Sequence, residues 1–438
     1  MRTYRALAFL LLFLSPSGFA LEPNVAGAEE TNVRIEINNF SDYTRRLLEI
    51  HPDLKSLSAS LEAAKQVPDR AGSLVDPQLS FGVMNVPYGS FSFSEEGMTQ
   101  KTVGLTQKFP SPGKRGLMKQ IAEDDIEIKS ALIPEKRLDL LERVSVLFLE
   151  LEYLNKARMV VKYNTSVMEG FVKVALAKYT VGSGLQQDVL QAQTEVSKMS
   201  AYQLEIEERI GIVTANLLLL AELPHGTDLS MVKLPDYSSP AGKGIAELEE
   251  QAIDRRPMFA ALRREIEKGE KSVQLARKDK LPEYMVSLTY GQREDTPVER
   301  NDMVSAMVTL SLPVRKNSRQ NRKIAEDMMR LEESREQYRS AKQRLKIVIS
   351  ELMETESHKT KILSVYDEGL VQQASQTVDA TLSAYQVNKV DFLSLVMNQV
   401  TLFNYGIKRD QIKFQLMATR VRLLRVLGDG IMEVANVE

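Results

Sequence analysis

The chain has 438 residues, no cysteine and no tryptophan, and its 57 basic and 59 acidic residues leave a net charge of −2. That balance excludes a nucleic-acid surface, which runs on basic patches. The missing cysteine excludes disulfides and a lipid-bearing N-terminal cysteine, so stability must come from packing and association.

In chain order, Arg2 and Arg5 precede an apolar run over 6–14 and a small-residue exit ending at Ala20. This is the pattern of a secretory signal peptide, cleaved after Ala20 or Ala28, so 1–28 is expected to be a processing region. The run is too short to span a bilayer as a helix, and no later stretch reaches the required length. Leu47, Leu48, Leu54, Leu57 and Leu61 give a helical period over 39–71, with Ser41 as the expected N-cap. The period then becomes two, which predicts strands over 77–87 and 100–109. A long helical tract follows over 116–178, interrupted only by Pro134 and Gly170, and a returning helix over 185–223. A linker is expected over 224–244. The same order then recurs: a helix over 246–280, strands over 282–291 and 303–313, a long tract over 318–384 containing only Gly369 as a breaker, and a helix over 392–427. Residues 429–438 form a tail.

This recurrence is an internal duplication. Tyr179-Thr-Val-Gly182 aligns with Tyr385-Gln-Val-Asn388, His51-Pro52 with Arg256-Pro257, Pro77 with Pro282, Phe109-Pro110 with Leu312-Pro313, and Ile121-Ala-Glu-Asp124 with Ile324-Ala-Glu-Asp327. The offset stays between 203 and 206 residues. Repeats over 29–223 and 245–428 follow. Gly182 and Asn388 supply the left-handed conformation that ends a helix.

Each of the four strands alternates apolar and polar residues over about ten positions, the length of a tilted bilayer-crossing strand. Four strands cannot close a barrel, for which about eight is the minimum. An open edge cannot face lipid either. The strands are therefore a soluble sheet or a share of an oligomeric barrel. Small residues on the polar faces (Ser80, Gly82, Gly104, Ser287, Thr289, Ser305) suit a hollow lumen. A hollow lumen favours three chains and twelve strands.

The duplicated helix–hairpin–long helix–helix plan resembles the TolC-like outer-membrane efflux proteins, as do the two Tyr-x-Val-(Gly/Asn) phrases followed by Asp188-Val-Leu and Asp391-Phe-Leu. The resemblance covers about residues 40–428. Lys108-Phe-Pro-Ser-Pro-Gly-Lys-Arg115 resembles a segment of the heavy-metal efflux branch. The resemblance implies a mostly α protein with membrane β-structure: a homotrimer whose α-helical tunnel crosses the periplasm below a twelve-stranded β-barrel in the outer membrane of a Gram-negative bacterium. It implies a periplasmic adaptor (membrane fusion) protein and an inner-membrane efflux pump as partners, with outer-membrane lipid around the barrel. The function expected is a passive exit duct, with metal ions a candidate cargo. The two phrases would then close the tunnel tip.

The resemblance also makes Asp188, Tyr385 and Asp391 the gate candidates. The family's basic gate partner falls at Val390 and its inner acidic ring at Ser394 and Met397, so both are missing here. The plainer alternatives are a solvated helix-start aspartate at Asp188 and interhelix packing at Tyr385. His51, His225 and His358 lack ligand spacing, and no nucleophile–base pair or phosphate loop appears. No catalysis, cofactor or resident metal is expected. Met84, Met285, Met303 and Met307 fall on the polar strand faces. A soluble periplasmic coiled-coil adaptor is the competing reading, though adaptors lack two separate pairs of ten-residue alternating strands.

Overall fold

The computed structural model describes residues 39–229, 232–238, 243–294 and 300–428. The signal segment, part of the linker and the tail lie outside these residues.

The first helical tract is three helices rather than one: α1 (Phe40–Ile50), α2 (Pro52–Lys65) and α3 (Val67–Gly72). Ahead of Pro52, His51 is pushed out of the helical region and adopts ψ 125°. Its Nδ1 accepts from the backbone of Asp53 at 3.2 Å, which caps α2. The N-cap of α1 is Asn39, whose side chain accepts from the amide of Asp42 at 2.8 Å. Ser41 instead sits inside the first turn, two residues too late to cap it.

Strands β1 (Gln78–Met84) and β2 (Gln100–Phe109) follow. The chain then enters α4 (Lys114–Thr180), whose 67 residues extend about 100 Å at 1.5 Å per residue. Pro134 lies within it without ending it. After a turn through Gly182 at φ +73°, α5 (Gln186–Leu220) returns along α4.

The second repeat opens with α6 (Ile245–Arg255) and α7 (Pro257–Lys278), split at Arg256 by the same pre-proline effect. Strands β3 (Glu283–Gln292) and β4 (Met303–Ser311) come next. The long tract stays helical throughout, with one change of hydrogen-bond period. It runs as α8 (Gln320–Val365), a five-residue π-turn (Tyr366–Leu370) and α9 (Val371–Gln386). A turn through Asn388 at φ +59° leads to α10 (Phe392–Leu427), capped by Gly428 at φ +97°.

Packing joins the repeats midway along the helices. Tyr43 is fully buried, 4.9 Å from the Phe148 ring, and its hydroxyl donates to the carbonyl of Leu217 at 2.6 Å. Arg46 donates to the carbonyls of Ala221 and Glu222, so the open end of α5 is satisfied by a side chain. Leu248, Phe259, Leu345, Ile349 and Leu423 form a second core that gathers α6, α7, α8 and α10. From the linker, Tyr237 is buried and its hydroxyl bonds Ser145 Oγ on α4 at 2.9 Å. Arg256 reaches Glu135 of α4 with Nη2 at 2.7 Å and Nε at 3.0 Å, a two-pronged ion pair between the start of repeat two and repeat one.

All four strands form one antiparallel sheet in the order β1-β2-β3-β4. Each hairpin pairs within itself, and β2 pairs with β3 across the repeats. β1 and β4 are the sheet's open edges within the chain.

Candidate functional site

The register sorts the sheet into two chemically different faces. Leu79, Leu105, Leu288 and Ala306 stand in one cross-strand row, and Phe81, Val103, Tyr290 and Val304 in another. Val286 with Val308, and Phe109 with Tyr284 and Leu310, continue the same face. This face is apolar and uncovered: Phe81 is 74% exposed and Val304 69%. A contiguous apolar surface of this size needs a partner or a lipid phase.

Aromatic residues mark both ends of the band. Phe109 and Tyr284 stack at 5.2 Å near the helical end, and Phe81 and Tyr290 share a row near the loops. Six residues separate Tyr284 from Tyr290, or about 20 Å of strand, close to the height of a transmembrane barrel's apolar band between its aromatic girdles.

On the opposite face Ser80, Gly104, Thr289 and Ser305 form one row. A side chain at Gly104 would come within 2.7 Å of Ser80 Oγ and 3.2 Å of Thr289 Oγ1, so this row is packed tightly enough to require glycine. Thr106 and Ser287 hydroxyls bond at 2.9 Å in the next row. The alternation read from sequence holds, and all four methionines lie on this polar face.

The Lys108–Arg115 segment forms the joint between sheet and helices. Gly113 takes φ +82°, which turns the chain from β2 into α4. Lys114 Nζ then lies 2.6 Å from Asp279 and 2.8 Å from Glu283, and Lys108 Nζ 3.1 Å from Glu283. Arg115 donates to the carbonyl of Gly72 at 2.7 Å. The segment thus ties the end of one repeat's hairpin to the start of the other's.

At the far end of the helices the two phrases meet. Met168, Phe171, Ala175, Val189, Ala192, Tyr385, Phe392, Leu395 and Val396 make one buried cluster, against which Val390 packs. Tyr385 is only 5% exposed, with its ring 5.5 Å from that of Phe392. Burial, reinforced by the nearby charge of Asp188, raises its phenol pKa. Asp188 lies half-buried in the first turn of α5, where a carboxylate suits the helix dipole. Asp391 is the N-cap of α10 and accepts from the backbone amide at 3.3 Å and the hydroxyl of Ser394. Those hydrogen bonds lower its carboxyl pKa, the hydroxyl's foremost.

The structure therefore brings Tyr385 and Asp188 into one neighbourhood, and sets Asp391 at the adjacent turn as a cap.

One residue of this site escaped the sequence reading. The ammonium of Lys178 sits 3.9 Å from the centre of the Tyr385 ring and donates to Asn388 Oδ1 at 2.7 Å and to the Tyr385 carbonyl at 3.2 Å. It pins the turn of the second phrase to the helix of the first. The available signal was a basic residue in the last turn of a helix, where such residues satisfy terminal carbonyls. The partner, more than 200 residues away, carries no local signal.

Among the described residues no helix is long and apolar enough to cross a membrane, and no cluster of His, Asp and Glu side chains could hold a metal ion. An uncovered apolar sheet face joined to paired helices of such length is a channel-like arrangement. Solved structures agree on the fold. The outer-membrane channel OprN superposes with a TM-score of 0.77 at 14% identity, covering 90% of each chain. VceC of Vibrio cholerae gives 0.75 at 18% identity over 90% of this chain and 96% of that one. CusC gives 0.76 at 13% identity over 90% and 92%. No curated protein matches the sequence. Residues 44–220 match the family described as outer membrane efflux protein.

Proposed function

We propose that three copies of the chain assemble into the outer-membrane exit duct of a tripartite efflux system, working with a periplasmic adaptor and an inner-membrane pump. The observation that carries the assembly is the sheet: one face uncovered and apolar, the other small and polar, with the outer edges of β1 and β4 open within the chain. Closing three such sheets would pair every edge and turn the apolar face to lipid. Driving energy would come from the pump.

The phrase turns form the periplasmic gate in this reading, with Asp188 and Asp391 as its acidic residues and Tyr385 as its packed anchor. The purified protein, inserted into planar bilayers, should give small, long-lived single-channel steps. Asp188→Ala with Asp391→Ala should raise the conductance. An unchanged conductance would move the closure to apolar contacts such as those of Val390.

A further inference from the structure

Resting on that assembly, we propose that each seam between neighbouring copies carries a thioether site for a soft monovalent cation, Cu(I) or Ag(I), built from Met285 and Met307 of one copy and Met84 of the next. The duplication supplies the geometry. Inside the chain, β2 of the first repeat pairs with β3 of the second, with Gly104 opposite Thr289. Advanced by one repeat, the same junction joins β4 to β1 of a second copy. Met307 stands 203 residues after Gly104, the interval that separates Pro110 from Pro313. Met84 stands 205 residues before Thr289, the interval between Pro77 and Pro282. Met307 of one copy therefore faces Met84 of the next. A slip of two residues keeps both on the same face and leaves them diagonal neighbours, still within reach of long side chains.

The third thioether comes from within the chain. Met307 lies opposite Ser287, two residues from Met285, so Met285 is its diagonal neighbour on β3. Met84 and Met307 are 49% and 63% exposed within the chain, projecting from a polar face on which Gln100 stands opposite Met84 and Ser287 opposite Met307. Three polarisable side chains then converge at each seam, in a chain that has no cysteine to compete for a soft metal. Thioether sulfur selects Cu(I) over hard cations and Zn(II). The nearest positive charge in this row, Lys108, is paired to Glu283 at 3.1 Å, which limits its repulsion of a bound cation. Met303 pairs with Gly291, further up the sheet, and is not part of the triad.

Ag(I), which is redox-inert, is the probe. Equilibrium dialysis of the detergent-purified oligomer should find about one Ag(I) per chain. Met84→Leu and Met307→Leu should each weaken binding about tenfold or more, the scale on which groups around a metal act. Met303→Leu should leave it unchanged. Silver binding that is absent, or equal in the leucine variants and wild type, overturns the site. The seam is tested separately by oxidising a Met84→Cys, Met307→Cys double variant. Covalently joined chains on a denaturing gel without silver binding in the wild type would reject the thioether site and keep the assembly. Absence of any cross-link would reject the seam itself.

Discussion

A single lysine shows how the tip is held. Lys178 spans the two phrases with one cation–π contact and two hydrogen bonds. A cation over an aromatic ring contributes about 0.5–1 kcal/mol at such a partly exposed site. Lys178→Met keeps the aliphatic stem and removes the charge, so amides 387–392 should exchange hydrogen faster while the helix midsections stay protected. Unaltered exchange there would show that apolar packing alone fixes the turn. Asp391 adds a pH dependence whose sign follows from its lowered pKa. A depressed carboxyl stabilises the fold above its unfolded pKa, near 4, and that contribution disappears as pH falls through the lower folded value. Ser394→Ala removes the largest cause of the depression, so the tip should be less stable at neutral pH and lose less stability on acidification than in wild type. Identical acid profiles would count against the cap. The pKa of His51 is also lowered, here chiefly by burial, which favours the neutral ring that accepts from Asp53.

Among the elements, the strands were the most legible, because one apolar and one polar sheet face demand different residues at every other position. The observed β2 and β4 begin where that alternation begins, at about 100 and at 303. The helix breaks were less legible. Pro52 and Pro257 do mark them, but the leucine period runs on through the breaks and masks the local effect of proline. The π-turn was invisible, since a shift in backbone pairing leaves no side-chain pattern beyond Gly369. That glycine has open space around its missing side chain and no left-handed φ. Gly369→Ala should therefore raise stability by about 0.5–1 kcal/mol, seen as a higher melting temperature in detergent. A decrease would mean that another copy approaches the backbone closely there. The buried ion pair linking repeats was equally hidden in sequence. Arg256→Ala leaves largely buried Glu135 with only the longer pair to Arg425 at 3.7 Å and should cost up to about 3 kcal/mol. Arg256→Lys, which loses the two-pronged geometry, should recover only part of the lost melting temperature.

At the scale of the molecule, the chain is built as an unfinished object. Its helices have their own cores, yet its sheet has an uncovered apolar face and two open edges. Each unpaired backbone group left in hydrocarbon costs several kcal/mol, so a lone four-stranded sheet is not stable in a membrane. Two copies would give eight strands, a barrel filled by its own side chains. Here the inward rows carry Ser80, Gly104, Thr289 and Ser305, too small to fill such a barrel. Three copies give twelve strands and an open lumen lined by those same small groups, and the internal β2–β3 pairing already supplies the joint that β4 and β1 would repeat between copies. Mass measurement in detergent should therefore find three chains per particle. Placing Pro at Val308, in the middle of the open-edge strand β4, would remove one backbone donor and bend the edge. That variant should lose the trimer while the helical signal in circular dichroism persists. A wild-type protein that runs as a monomer or dimer with its sheet intact would sink the twelve-stranded assembly.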